Sequence, residues 1–401
     1  MNILIVIALL VALMLVVHNL PLCAEASRKS IHLGMGMICL GFPWLFSTPL
    51  QVDLLAALAV STLLIIRWKK TAVGKVLHGI KRLSFGELLF PVGVAIVFRL
   101  SSGDLSTYLP AIGVLTFADT AGALVGERFG KHLYRTNAGQ KSLEGSLAVF
   151  IVSFLIVWLA GISSDPLTAF MIAIVVALVA TMAEGVLGAG IDNLVLPISV
   201  FALIFLLRDL TWSELLSRIT LISAVGLFLF TVRRITSLNG GGLLSATIFA
   251  YLSFALGGPK YLLAPTLLFL IHLITTWRHP KLAAMEHSAN SISAIALPGL
   301  IWVTLKSTTD LSPDLCYHGF CLTLMAHTAF LHSVTRAHLQ LPSSLTVGAA
   351  KVIAVTVASG LWWFAPLAAL FLILSIPHTR SLNRLDQAIL AFLFSLLTFM
   401  T

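Results

Sequence analysis

Apolar runs of about 17–22 residues recur along the chain, separated by short polar loops. As α-helices, runs of that length match the hydrocarbon thickness of a bilayer, and no other feature narrows the fold as far. The 401 residues are 58% hydrophobic and 10% charged, against about 25% charged in an ordinary soluble domain. Such a chain has too little polar surface to cover a soluble globule. The period-2 alternation of an outer-membrane barrel is absent, which leaves an all-α, polytopic integral membrane protein. Soluble enzymes, transcription factors and secreted disulfide scaffolds are excluded.

Candidate spans cover residues 2–22, 31–47, 50–67, 85–101, 105–126, 145–161, 166–182, 193–207, 216–232, 242–257, 260–277, 290–305, 316–335, 344–362, 363–377 and 385–400, which predicts about 14–16 transmembrane helices. Residues 1–22 lack a basic leading segment and a small-residue cleavage site, so they read as a retained first helix. Arg67, Lys69, Lys70, Lys75, Lys81 and Arg82 crowd one loop, and Arg128, Lys131, Arg135 and Lys141 crowd another two spans later. Basic loops face the cytoplasm, which places the N-terminus outside and every polar motif below on the cytoplasmic side. The net charge of +9 follows from the same bias and does not call for a nucleic-acid partner. Cys23, Cys39, Cys316 and Cys321 form neither a CxxC pair nor a His/Cys cluster, and His327, His332 and His338 do not share a helical face.

Twelve of the sixteen acids fall within residues 1–234; the rest are Glu286, Asp310, Asp314 and Asp386. Carboxylates at a membrane edge are costly and mark function. The expectation is a catalytic transmembrane domain over 1–234 and a second transmembrane domain over 235–401.

The densest constellation runs from Asp119-Thr-Ala-Gly122-Ala123 through Gly126 and Gly130-Lys131-His132 to Lys141-Ser142-Leu-Glu144-Gly145-Ser146. On a helix, Gly122, Ala123, Gly126 and Gly130 lie within about 60° of Asp119. The carboxylate therefore sits on a stripe almost without side chains, where a ligand or another backbone can approach closely. An acid able to hold Mg²⁺ beside lysines and backbone donors is what nucleotide phosphoryl transfer requires. A small-xxx-small packing face is the structural alternative. No P-loop is present, because Gly126 to Lys131 is too short and His132 follows. The Asp-Gly-x-x-Ala-Arg run of CDP-alcohol phosphotransferases is also absent.

These segments resemble the signature shared by CTP-dependent dolichol and phytol kinases and by CDP-diacylglycerol synthases. Three further segments resemble the kinase branch: Arg28-Lys29-Ser-Ile-His32, Gly86-Glu87-Leu-Leu-Phe90-Pro91, and Glu184 followed by Asp192-Asn193-Leu-Val-Leu-Pro197. The likeness covers residues 20–232, and Asn137-Ala-Gly-Gln before Lys141 favours the kinases. It implies a CTP-dependent kinase acting on a membrane isoprenoid alcohol, with Mg²⁺ on Asp119 and with Asp192 or Glu184 as a second acid. Lys131 and Lys141 would neutralise phosphoryl charge. Ser142, Glu144, Gly145, Gly126, Gly130, Arg28 and Lys29 would complete the nucleotide site. Asp192, Glu184 and His32 remain open as general base, and Glu87 is a further candidate.

Residues 235–340, beginning Asn239-Gly240-Gly241-Gly242, weakly resemble phytyl-phosphate-kinase-type membrane proteins, with Ala326-His327-Thr328 standing where that family has an acid. This implies a degenerate partner domain. The rival functions are cytidylyl transfer to a phosphorylated lipid, and a lipid or solute transporter; the acids gather at one face rather than at the midplane, which weighs against transport. The expected partners are the lipid alcohol, the nucleotide and membrane lipids, in a bacterial inner membrane with the site facing the cytoplasm.

Overall fold

In the computed structural model the described residues are 2–68, 85–137, 139–188, 190–278, 286–339, 360, 383–396 and 399, excepting the side chains of 24, 25, 68 and 328–339. The basic loop from Lys69 to Arg82, the spans expected at 344–362 and 363–377, and the side chains of His332 and His338 lie outside the described residues.

The described residues are helical nearly throughout, as the apolar runs require. The order is α1 (Asn2–Asn19), α2 (Ala24–Leu40), α3 (Phe42–Leu45), α4 (Pro49–Trp68), α5 (Gly86–Ser101) and α6 (Leu105–Gly113). A wide π turn (Val114–Ala118) then leads directly into α7 (Asp119–Phe129). A hairpin, β1 (Leu133–Thr136) and β2 (Gly139–Ser142), precedes α8 (Leu143–Leu159), α9 (Pro166–Val186), α10 (Asp192–Leu207) and α11 (Trp212–Val232). There follow α12 (Gly240–Leu252) with a second π turn (Ser253–Gly257), α13 (Leu263–Arg278), α14 (Ala289–Thr308), α15 (Pro313–Leu339) and α16 (Arg384–Ser395). Among the described residues, eight helical stretches are long and apolar enough to cross a membrane, and α8 and α10 are shorter apolar helices. This is a polytopic all-α membrane protein.

Local chemistry sets the helix starts. Asp104 caps α6 by accepting from Ser106 N at 2.9 Å, and Asp165 caps α9 by accepting from Thr168 N at 2.9 Å, ahead of Pro166 in the first turn. Residues 31–47, read as one span, instead form α2, which begins at Ala24, and the short α3; the break falls at Gly41 before Pro43. Residues 133–142, read as part of a loop, pair as the hairpin, closed by Gly139 at φ +117°.

The chain divides into two compact units, Met1–Thr220 and Leu221–Thr401. In the first, Ile172, Val176 and Ala180 of α9, Leu196, Val200 and Ile204 of α10, and Val114 and Leu115 of the π turn are fully buried. In the second, Trp302, Phe320 and Tyr317 anchor a separate apolar cluster with Tyr261 and Phe249.

Candidate active site

The site is built on the π turn. Thr116 Oγ donates to Ile112 O and Thr120 Oγ to Thr116 O, each at 2.7 Å, so hydroxyls bond back into the helix ladder on both sides of the widened turn. Helix α2 is seated on this turn. A Cβ at Gly36 would collide with the Thr116 side chain, so glycine permits the approach. Tyr108 Oη fastens the far end by donating to Cys39 O at 2.8 Å.

Lys29, His32 and Gly36 recur at helical spacing along α2. Lys29 Nζ donates to Asp119 Oδ2 at 2.9 Å, and the two side chains are only 9% and 14% exposed, so this is a buried pair. His32 Nε2–H donates to Leu115 O at 3.1 Å, which fixes the tautomer, and the same nitrogen lies 3.6 Å from Asp119 Oδ2. The His32 ring meets Phe90, of the Gly-Glu-Leu-Leu-Phe-Pro segment, edge-on at 5.2 Å.

A second pair comes from the hairpin. Lys141 on β2 forms an ion pair with the Glu184 carboxylate near the end of α9, and also donates to Glu184 O at 3.2 Å. Glu184 is buried. Burial works against a charge on Lys141, but Glu184, then Asp119 and Asp192, outweigh it and hold the ammonium pKa above the ordinary lysine value. Tyr134, opposite Lys141 in the hairpin register, bonds Ser146 at 2.7 Å through its hydroxyl.

The third acid is different. Asp192, half-buried in the first turn of α10, accepts from Asn193 N at 3.1 Å and has no lysine partner among the described residues. Its position is set by Asn193, whose side chain donates to Gly86 O at 2.9 Å, and by Gly93, where α5 and α10 meet backbone to backbone. Asp119, Glu184 and Asp192 all act electrostatically on Lys141. The sequence therefore brings together, from five separate segments, three carboxylates, two ammonium groups and one imidazole.

Other expected residues take different places. Arg28 and Lys131 are exposed, and Glu87 is half-buried in the first turn of α5. The Glu144 carboxylate accepts from the backbone N–H of Lys131 at 3.1 Å and of His132 at 3.3 Å, and contacts His132 Nδ1 at 2.7 Å, so it locks the entrance to the hairpin. The glycine stripe is approached by another backbone. A Cβ at Gly145 would lie 2.8 Å from Gly122 O, one at Gly126 would lie 3.2 Å from Ser142 Oγ, and one at Gly130 would strike Gly126 O and Ser142. Ser142, buried, caps α8 by accepting from Gly145 N at 3.1 Å. These small residues join α7 to α8.

Among the described residues no three His, Cys, Asp or Glu side chains converge closely enough to hold a metal ion by themselves. Mg²⁺ needs less from a protein: one or two carboxylates together with substrate phosphates. Asp119 would meet that demand, with phosphates and water supplying the remaining oxygens.

Fold and site together define a polytopic membrane protein with a buried, mixed-charge centre suited to phosphate chemistry. Its sequence is 31% identical over 182 residues to the phytol kinase of Synechocystis sp., a match covering 44% of this chain and 76% of that protein. The chain belongs to the phytol kinase family. No family model and no solved structure matches it.

Proposed function

We propose that this chain is a kinase that transfers the γ-phosphoryl group of CTP, bound with Mg²⁺, to the hydroxyl of a membrane isoprenoid alcohol, giving the monophosphate. Family membership supports a prenyl-alcohol kinase. The observation that carries the chemistry is the arrangement of three acids against two lysines, with Asp192 the one of the three that forms no close ion pair among the described residues.

Phosphoryl transfer asks a protein for positioning and charge neutralisation more than for covalent chemistry. Lys29 and Lys141 are the donors for phosphate oxygens. Asp119 is the acid for the metal, and Mg²⁺ when bound supplies charge neutralisation on the phosphates. Glu184 is held by Lys141, so among the three acids Asp192 is the carboxylate with capacity to take the proton of the attacking hydroxyl. The alcohol reaches the site from the bilayer with its chain among the helices. The loop charges Arg128, Lys131, Arg135 and Lys141 support a site at the cytoplasmic face of the membrane.

The test is CTP labelled separately at the α- and γ-phosphates, incubated with purified full-length protein, Mg²⁺ and phytol or a polyprenol. Label from the γ position in the lipid is expected. Label from the α position would make the protein a cytidylyltransferase instead.

A further inference from the structure

We propose that Lys29 is a gate on the metal site: it occupies Asp119 in the resting protein, so that a divalent cation binds only together with nucleotide phosphates. This rests on the kinase reading of the same site. Three observations carry it. The Lys29–Asp119 pair is short and almost wholly buried, so the Asp119 oxygen nearest the lysine is already satisfied. No group of three protein ligands stands ready for a metal among the described residues. Lys29 is carried by α2, which Gly36 and Tyr108 fix against the helix bearing Asp119, so the pair is built into the packing.

The physical consequence is an exchange. Alone, a cation must displace an ammonium group from Asp119 and leave that ammonium buried beside it, which is unfavourable. A nucleotide carries its own anionic oxygens. When its phosphates arrive, Lys29 moves from carboxylate to phosphate and Asp119 turns to the metal, so that every charge keeps a partner. Binding of metal and of nucleotide are then coupled reciprocally.

The experiment measures Mn²⁺ binding to detergent-solubilised full-length protein by electron paramagnetic resonance, without nucleotide. Lys29→Met is expected to bind Mn²⁺ roughly tenfold more tightly than the unmodified chain, the usual size of such a coupling. Lys29→Arg should stay at the unmodified level, and adding Asp119→Asn to Lys29→Met should remove the gain. Equal affinity in the unmodified chain and Lys29→Met, or a gain that survives Asp119→Asn, overturns the proposal. Should Lys29→Met fail to fold, the unmodified chain is tested by thermal melting. Mg²⁺ alone should leave Tm in place while Mg²⁺ with CTP raises it, and an equal rise with Mg²⁺ alone overturns the gate. A chain that moves γ-label to lipid yet gives either adverse result loses the gate and keeps its kinase assignment.

Discussion

The two units of the chain each contain a π turn of five residues, and they use it differently. In the first unit, Val114–Ala118 delivers Asp119 into a cluster of buried charge. In the second, Ser253–Gly257 ends at Gly258, whose φ is +93°, and the polar contact it makes is Lys306 Nζ donating to Gly257 O at 2.7 Å. Among the described residues of the second unit the buried polar side chains are Ser, Thr, Tyr, His and Gln, and the ion pair Lys260–Asp314 is exposed. Widening a helix is cheap enough to occur in either unit. Withdrawing Lys29, Asp119, Lys141, Glu184 and Asp192 wholly or partly from water is costly, and among the described residues only the first unit gathers such a cluster.

The sharpest way to break this contrast is Asp119→Asn. Transfer of γ-label to lipid is expected to fall about a thousandfold, the scale of losing a principal electrostatic stabiliser, while the protein still inserts and elutes as a single species. Turnover near normal in that variant would remove Asp119 from the chemistry. Lys141→Ala should weaken nucleotide use more than lipid use and also lower stability by about 3 kcal/mol, because Glu184 is left buried and unpaired. Glu184→Gln in the same chain should recover most of the stability and none of the activity; denaturation curves beside turnover assays check both halves.

The same pair has an alkaline signature. The pKa of Lys141 is raised in the folded protein, so its stabilisation is fully present below the ordinary lysine value of 10.5 and is lost as pH climbs through the raised folded value. Melting of the unmodified chain should therefore fall faster above that pH than melting of the Lys141→Met, Glu184→Gln double variant. The smallest expected effect lies in the second unit. Ser237 Oγ bridges His272 Nε2 at 3.0 Å and His287 Nδ1 at 2.9 Å. Ser237→Ala should cost about 1–2 kcal/mol in a melt and leave phosphoryl transfer unchanged. A drop in turnover without a drop in Tm would carry the chemistry across the unit boundary.

Much of the first unit was legible because membrane spans announce themselves by length, and because a carboxylate at a span's edge has few bland explanations. Asp119, Glu184, Asp192, Lys29 and Lys141 are all visible in the sequence as costly residues. Which lysine meets which acid is not visible: Lys29 and Asp119 stand ninety residues apart, and helical periodicity says nothing about contacts across that distance. The π turn is hidden for a related reason, since a 3.6-residue repeat assumes the ladder that Thr116 and Thr120 disturb. The glycines beside Asp119 announce a close approach without saying by what; the partners are Gly145 of α8 and Ser142, which caps that helix. The positioning role of Asn193 is likewise hidden, because its partner, Gly86 O, lies far away in the sequence.

The contact between Gly122 and Gly145 has a mechanical consequence. Two helices touching through their main chains forfeit a quarter to a half of each contact's attraction when they part by about 0.5–1 Å. The hairpin they hold is thus braced like an anvil, and the long tails of Lys29 and Lys141 give the site its freedom to rearrange.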